Sequence, residues 1–428
     1  MQHREEGELH VFHYNQKVQN TCAWTPELLL ARGLIFRRNA RTKETTLVAT
    51  PWPKFFNLQE DGYELEELAE MAKGGRVEVT TKMDGSLGLV FHDGKQWRVS
   101  EGHRKARLME FRMLGEDGVR GKAGAKLKDR LKDNRYDGID AEIMFPNKGL
   151  AMWATPDPIF AMAQCKVWNE WAWEEFGSHN NTVSPMAAIA TGDLEGAMKE
   201  IERVAALGFR GLTLPCKPIW GAHDVEHDNY NLPVFDPMWA LIEETGLPIT
   251  FHVSTGRDPR ASKGNGGAVI NYVTHSLSPT IEPLANLCSS GVLERFPKIH
   301  FALIEAGIGW VPWVLDAMDE AYKKHHFWVR PKLQGLPSDY FRSNGAASFQ
   351  EDEAGLLLAE KYDLWNNFLW ANDYPHHEGT WPHSAAAIER TMSHMNDEQR
   401  AKILGLNAKR IFKFDLPDYP NRQSGTAD

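Results

Sequence analysis

A chain of 428 residues has room for one large domain and a smaller one, and 42% hydrophobic with 25% charged residues is an ordinary globular composition. No apolar run has the length of a membrane span, the N-terminal residues lack the apolar core of a signal peptide, and a net charge of −10 argues against a general nucleic-acid-binding surface. The four cysteines have no CxxC spacing, which argues against a disulfide framework or a cysteine metal site. A cytoplasmic protein without membrane or nucleic-acid partners is therefore expected.

Residues 1–95 alternate short β-branched or aromatic runs with Gly, Asp and charged turns, which predicts a small β-rich module. Strands are predicted at 34–36, 46–48, 77–80 and 87–91, with a helix at 63–72. Lys82 precedes an Asp-Gly turn on a predicted hairpin, where neighbouring cations can make a lysine nucleophilic. Asp-Gly is also the commonest hairpin signal, so the pattern alone is weak.

Two elements precede that lysine, Ala31-Arg-Gly-Leu-Ile-Phe36 and Pro53-Lys-Phe-Phe-Asn57. With them the segment resembles the adenylation domain of phage-type RNA ligases. The resemblance implies that Lys82 is the adenylated lysine and that Arg32 and Lys54 contact the phosphates of ATP. The later Glu-Gly-x-Val and Lys-x-Lys motifs of these ligases do not follow. Without the charged residues that stabilise the reacting phosphates, a nucleophilic lysine alone contributes little to nucleotidyl transfer. We therefore expect no self-adenylation, and RNA ligation or nucleotidyl transfer with ATP stays an alternative function.

Residues 96–124 are interpreted as a seam or linker between two modules. The stretch 92–99 suits a hairpin, and 115–124 is rich in glycine and charge. Glu101 and His103 have the E-x-H spacing that places two metal ligands on one face of a strand. Their basic neighbours favour the alternative of a solvated turn.

From residue 125 onward, apolar strands alternate with amphipathic helices over short connections, which is typical of a parallel sheet covered by helices. Seven strands are predicted, at 139–145, 183–189, 211–214, 248–253, 299–304, 346–349 and 368–370. Helices are predicted at 127–135, 157–176, 194–207, 237–245, 280–290, 310–325, 353–361, 383–392 and 397–412. The pattern predicts an α/β fold over residues 125–428, a (β/α)8 TIM-like barrel that lacks its usual first strand.

Two of these strands end in side chains that bind metals well. Strand 248–253 carries His252 just before a Gly-containing loop, and strand 368–370 leads to Asp373, two residues before a proline. Because a parallel barrel brings the C-terminal ends of its strands to one rim, their donor atoms are expected within roughly 4–6 Å of each other. One zinc or manganese ion can bridge that span. Taken singly, each residue has a structural alternative, a buried histidine or a helix-capping aspartate.

This part of the chain resembles the amidohydrolase-related metal-dependent family that includes aminocarboxymuconate-semialdehyde decarboxylase and benzoate-type decarboxylases. The resemblance is carried by residues 137–146, 247–256, 304–310, 370–376 and 402–409. It implies a metal-dependent hydrolase or decarboxylase of a small carboxylated substrate, with aromatic acids among the candidates. It also implies that His252 and Asp373 are metal ligands and that Asp373 takes part in proton transfer. Members of the family are often oligomeric, so a homo-oligomer is expected, although no segment specifies an interface.

Glu305 ends the sixth strand of that family pattern, where the best-known members carry a histidine. It is expected to shuttle protons or to accept a hydrogen bond beside the metal, or else to cap the next helix. His376 is expected to line the same pocket. The first-strand ligands of the family are missing unless Glu101 and His103 replace them, and two ligands bind a metal weakly. A non-catalytic fusion of two incomplete domains is therefore the remaining alternative.

Overall fold

The computed structural model describes residues 2–6, 9–13, 25, 32–39, 42–49, 89–92, 97–100, 126–218, 229–255, 262, 265–325, 327–376 and 379–417. The chain divides into two compact units, residues 1–107 and residues 108–428. Among the helices that the structure describes, none has the length and hydropathy of a membrane span.

The N-terminal unit is β-rich, as predicted. Four antiparallel strands form one sheet in chain order, and a separate hairpin follows. The sheet strands are Gln2–Glu6 (β1), Leu9–His13 (β2), Arg32–Arg38 (β3) and Thr45–Ala49 (β4), and the hairpin strands are Leu89–His92 (β5) and Trp97–Ser100 (β6). The strand predicted at 77–80, the helix predicted at 63–72, and Lys54, Lys82, Glu101 and His103 lie outside the described residues.

The C-terminal unit is built on parallel strands that follow one another in chain order. They are Glu142–Met144 (β7), Val183–Pro185 (β8), Ala187–Ala188 (β9), Leu212–Leu214 (β10), Ile249–His252 (β11), Phe301–Ile304 (β12), Gly345–Phe349 (β13) and Phe368–Trp370 (β14). Strands β9 to β14 form one sheet, and β7 pairs in parallel with β8. Met186 alone separates β8 from β9, so the two are halves of one bent strand. All seven predicted strands are present and the order never reverses, which confirms the barrel-like α/β architecture.

Helices connect and cover these strands. Their bounds are Leu127–Asp137 (α1), Pro158–Phe176 (α2), Leu194–Leu207 (α3), Asp236–Thr245 (α4), Gly267–Ile270 (α5), Ile281–Ser289 (α6), Val292–Arg295 (α7), Val311–Lys324 (α8), Pro337–Asn344 (α9), Glu353–Ala359 (α10), Ser384–Met392 (α11), Asp397–Ala401 (α12) and Asn407–Phe412 (α13). The side chains of Asp157, Asp193 and Asn396 accept hydrogen bonds from backbone N–H groups in the first turns of α2, α3 and α12. Such caps satisfy otherwise orphaned donors, which is why the predicted starts are accurate. The predicted helix 397–412 is interrupted by a π-helical turn, Lys402–Leu406.

The core of this unit lies between the sheet and the helices. Its largest fully buried side chains include Trp239, Phe251, Phe301, Phe341 and Phe368. Burying one such aromatic side chain contributes roughly 1.5–3 kcal/mol, and these contacts hold the strands in register.

A second apolar cluster joins the strands to the end of the chain. Ile411, Phe412 and Phe414 pack with strand residues that include Ala302 and Ala346. Nearby, the Lys413 ammonium donates to the carbonyl oxygen of Gly246, and the Asp415 N–H donates to Asn181, at 2.6 and 2.8 Å. Gly246 and Asn181 precede β11 and β8, so the C-terminal segment covers the N-terminal end of the sheet.

Three cysteines are sequestered in this unit. Cys165, Cys216 and Cys288 are free and buried. Burial raises the pKa of all three thiols, that of Cys216 to about 12. Because the thiolate is the reactive form, we expect these thiols to resist an aromatic disulfide reagent at mildly alkaline pH until the protein is unfolded in guanidinium chloride. Rapid labelling of Cys216 in the native protein, located by peptide mass spectrometry, would contradict this.

Candidate metal centre

The C-terminal ends of three parallel strands carry the polar residues of the site. His252 is the last residue of β11, Glu305 directly follows β12, and Asp373 stands three residues after β14. Strands β11 and β12 pair so that His252 lies opposite Ile304, the residue before Glu305. The strand register therefore places His252 and Glu305 side by side.

The backbone at this rim is strained. Ser254, Glu305 and Asp373 have φ values of 72°, 59° and 54°, a left-handed region that side-chain-bearing residues seldom occupy. Each such residue costs on the order of 1–3 kcal/mol and persists only where surrounding contacts impose it. Three of them, after β11, β12 and β14, mark this rim, and no other part of the described sheet, as a candidate functional site.

His252 is held in one orientation. Its Nδ1 atom is 2.9 Å from the carbonyl oxygen of Val253, which can only accept, so Nδ1 carries a proton. Its Nε2 atom lies 3.0 Å from Oε2 of Glu305, and the His252 side chain is only 6% exposed. A backbone carbonyl on Nδ1 is the usual partner of a histidine whose Nε2 binds a metal. The ring of Phe145, just after β7, packs edge-on at 4.9 Å between centroids.

Glu305, Asp373 and His376 form a group that could hold a metal ion. One ligand atom from each lies within 4.8 Å of the other two, and all three side chains are partly buried. Glu305 also touches His252, so it connects both of the predicted metal ligands. Two carboxylates with one or two imidazoles are a donor set that suits zinc or manganese.

Backbone hydrogen bonds hold the loop that carries Asp373 and His376. The His376 N–H donates to the carbonyl oxygen of Asp373 at 2.8 Å, and the Thr380 N–H donates to that of Asn372 at 2.9 Å. A Cβ atom on Gly379 would clash with the carbonyl oxygens of Asn372 and Asp373. Glycine at 379 thus allows the chain to return against its own backbone.

Glu305 is not the N-cap residue of α8, the helix that follows β12. The N-cap position of α8 is Trp310, and the Asp352 carboxylate accepts the N–H groups of Ile308 and Gly309, each at 2.7 Å. The Glu305 N–H donates to the hydroxyl of Ser348 at 2.9 Å. Neither Asp352 nor Ser348 was expected at this rim, because only the register of β12 and β13 brings them there.

The side chains predicted to be functional in the N-terminal part of the chain are not among the described ones. Arg32 lies in β3 of the N-terminal unit, where its side chain is not among the described ones. Lys54 and Lys82 lie outside the described residues, as do Glu101 and His103. The four residues predicted for the barrel, His252, Glu305, Asp373 and His376, all stand at one rim.

Comparison with known proteins assigns this unit to a family. The amidohydrolase family model matches residues 120–414. The chain belongs to the amidohydrolase family. An RNA ligase family model matches residues 30–134, so both resemblances inferred from the sequence are confirmed.

Similar amidohydrolase-family proteins include decarboxylases of aromatic acids. Gamma-resorcylate decarboxylase from Rhizobium sp. (strain MTP-10005) is 24% identical over 304 residues, which cover 67% of this chain and 86% of that protein. A dihydroxybenzoic acid decarboxylase from Polaromonas sp. JS666, crystallised with manganese and the inhibitor 2-nitroresorcinol, superposes with a TM-score of 0.57 at 19% identity, covering 74% and 92% of the two chains. An amidohydrolase from Mycobacterium avium subsp. paratuberculosis K-10 gives 0.58 at 20% identity, covering 76% and 90%. The structural likenesses confirm the fold, and the family model over residues 120–414 confirms the prediction of an amidohydrolase-superfamily enzyme.

Proposed function

We propose that the C-terminal unit is a divalent-metal-dependent decarboxylase of a small aromatic carboxylic acid. The observation that carries the proposal is the group of Glu305, Asp373 and His376 at the strand rim, with His252 in contact with Glu305. The decarboxylases named above supply the substrate class. Hydrolysis is the alternative reaction, because the matching family is described as amidohydrolase.

His252 and Asp373 are the proposed metal ligands, and Glu305 and His376 can complete the donor set. The fixed tautomer of His252 supports this assignment, because it leaves Nε2 facing the Glu305 carboxylate. A bound zinc or manganese ion would supply Lewis-acid binding of substrate oxygens. Glu101 and His103 stay candidates for the missing first-strand ligands.

Residues of this chain would supply the proton that replaces the carboxylate on the ring. In decarboxylation the bond from the ring to the carboxylate breaks, its electron pair stays on the ring carbon, a proton joins that carbon and CO2 leaves. Of Glu305 and His376, the residue that does not bind the metal is the proposed proton carrier, since both are partly buried and lie beside Asp373. Asp373 orients the substrate and shares in the transfer. The apolar ring of Phe145 limits water on one side.

The proposal also covers partners and location. The substrate is a small molecule, the protein works in the cytoplasm, and it assembles as a homo-oligomer. The three buried free thiols support a reducing compartment.

The test is an assay of the full chain with Mn²⁺ or Zn²⁺ and a panel of hydroxybenzoates that includes 2,6-dihydroxybenzoate. We expect CO2 release that EDTA abolishes and that added metal restores. Incubation with radiolabelled ATP tests the alternative suggested by the RNA ligase match. A stable AMP adduct that Lys82→Ala removes would favour nucleotidyl transfer, whereas a protein with neither metal nor activity would support a non-catalytic fusion.

A further inference from the structure

Helix α1 turns a polar face toward the interior of the C-terminal unit. Arg130, Asp133 and Asn134 on this face are 4%, 6% and 5% exposed. We refer to these three residues and Asp137 as the α1 polar face. Buried charges on a helix are costly unless they are paired, so their partners show what the helix holds in place.

Arg130 joins β7 to the loop after β14. Its guanidinium makes two hydrogen bonds to Glu142 of β7, from Nε at 2.6 Å and from Nη2 at 3.1 Å. Nη2 also donates to the carbonyl oxygen of Tyr374 at 3.4 Å, and Cζ lies 5.0 Å from the centre of the Tyr374 ring. Asn134 donates to Glu142 at 2.8 Å, which fixes the carboxylate from a second side.

Tyr374 lies between the candidate ligands Asp373 and His376 in sequence. Its hydroxyl donates to Oδ2 of Asp133 at 2.5 Å, within the α1 polar face. The backbone between the two ligands is therefore anchored to α1 through the buried side chain of Tyr374.

Asp137 holds both ends of the same loop. One carboxylate oxygen accepts from the Asn372 side chain at 3.2 Å, and the other accepts from the Ser384 N–H at 3.1 Å. The Ser384 hydroxyl also donates to this carboxylate. The α1 polar face thus contacts the loop before Asp373, between Asp373 and His376, and after His376.

We propose that Arg130 and Tyr374 are positioning residues that set the affinity of the candidate metal centre for a divalent cation. The proposal rests on the proposed function, because it concerns the ligands of that site. Shifts of about half an ångström in a ligand matter for a metal site, and loss of partners around ligands typically costs 10–100-fold in affinity. A purely structural role for the α1 polar face would lower stability but leave the cation affinity of the folded protein unchanged.

The experiment measures Mn²⁺ binding to metal-free full-length protein by isothermal titration calorimetry, with circular dichroism to verify folding. Tyr374→Phe removes only the hydroxyl, and its matched control is Tyr362→Phe, which removes an exposed hydroxyl that donates to Asp316 at 2.6 Å. Arg130→Lys keeps the charge but loses the two-pronged hydrogen bonding. Its matched control is Arg295→Lys, because Arg295 makes a similar two-pronged pair with Asp236 on the outer surface.

We expect about 10–100-fold weaker Mn²⁺ binding for Tyr374→Phe and Arg130→Lys, and wild-type binding for both controls. If Arg130→Lys fails to fold, Tyr374→Phe decides the matter alone. Unchanged Mn²⁺ affinity in the folded variants, together with its loss in Asp373→Asn, would overturn the positioning role and leave the proposed function intact. A wild-type protein that binds no Mn²⁺ would overturn both proposals, and the two failures are thereby distinguished.

Discussion

Replacing Asp373 by asparagine is expected to abolish tight Mn²⁺ binding and decarboxylation while the protein stays folded. An asparagine amide fits the same space and accepts the same left-handed backbone conformation, but its oxygen carries no full charge to bind a cation. The loss of affinity should exceed the roughly 10–100-fold that an outer-shell partner contributes. Equilibrium dialysis followed by elemental analysis of the metal gives the stoichiometry directly.

The matched control is Asp363→Asn. Asp363 is also an aspartate with a positive φ, 54°, but it is exposed and precedes β14 instead of following it. Its variant should bind Mn²⁺ as the wild type does. Equal metal content in the wild type and in the Asp373→Asn and His252→Ala variants would remove the metal-dependent enzyme from consideration.

Phe412→Ala is expected to lower the free energy of unfolding by about 3–5 kcal/mol without changing the Mn²⁺ affinity of the folded protein. Phe412 is 1% exposed, and the residues that follow it, Lys413 and Asp415, bond to the segments before β11 and β8, at the end of the sheet opposite the rim. In barrels of this class one end supplies stability and the opposite end supplies chemistry. Urea denaturation gives the free energy, and calorimetry gives the affinity.

Phe327→Ala is the control for this substitution. Phe327 is 74% exposed, so its truncation should change the free energy of unfolding by less than about 0.5 kcal/mol. Weaker Mn²⁺ binding in folded Phe412→Ala protein would show that the two ends of the sheet are coupled, contrary to this prediction.

The strands and most helices of the C-terminal unit were predictable because apolar runs and capping residues are local signals. His252 and Asp373 were recognisable for the same reason, since each follows a short apolar strand. Strand β1 was missed because all five of its residues are polar, Gln-His-Arg-Glu-Glu, and resemble a solvated segment. Strand β2 was missed although Leu-His-Val-Phe-His has the alternation of a half-buried strand. Helix α9 was missed because it is short and polar, Pro-Ser-Asp-Tyr-Phe-Arg-Ser-Asn.

The α1 polar face shows where local patterns fail. A helix with arginine, aspartate and asparagine on one side ordinarily presents that side to water, yet here Arg130, Asp133 and Asn134 are buried. Tyr374, the partner of Arg130 and Asp133, lies more than 240 residues further along the chain. Hydrophobic periodicity reports which residues leave water, and it carries no information about polar residues that are buried because a distant partner satisfies them.

The contacts that close the C-terminal unit also constrain when it can finish folding during synthesis. Strands β9 to β14 pair in chain order, so each can add to the sheet soon after it leaves the ribosome. The bonds from Asp137 to Ser384 and from Asn181 to Asp415 span 247 and 234 residues. Both the rim that carries the candidate metal centre and the opposite end therefore stay open until the last part of the unit is translated, and a prematurely terminated chain would expose an incomplete sheet to aggregation.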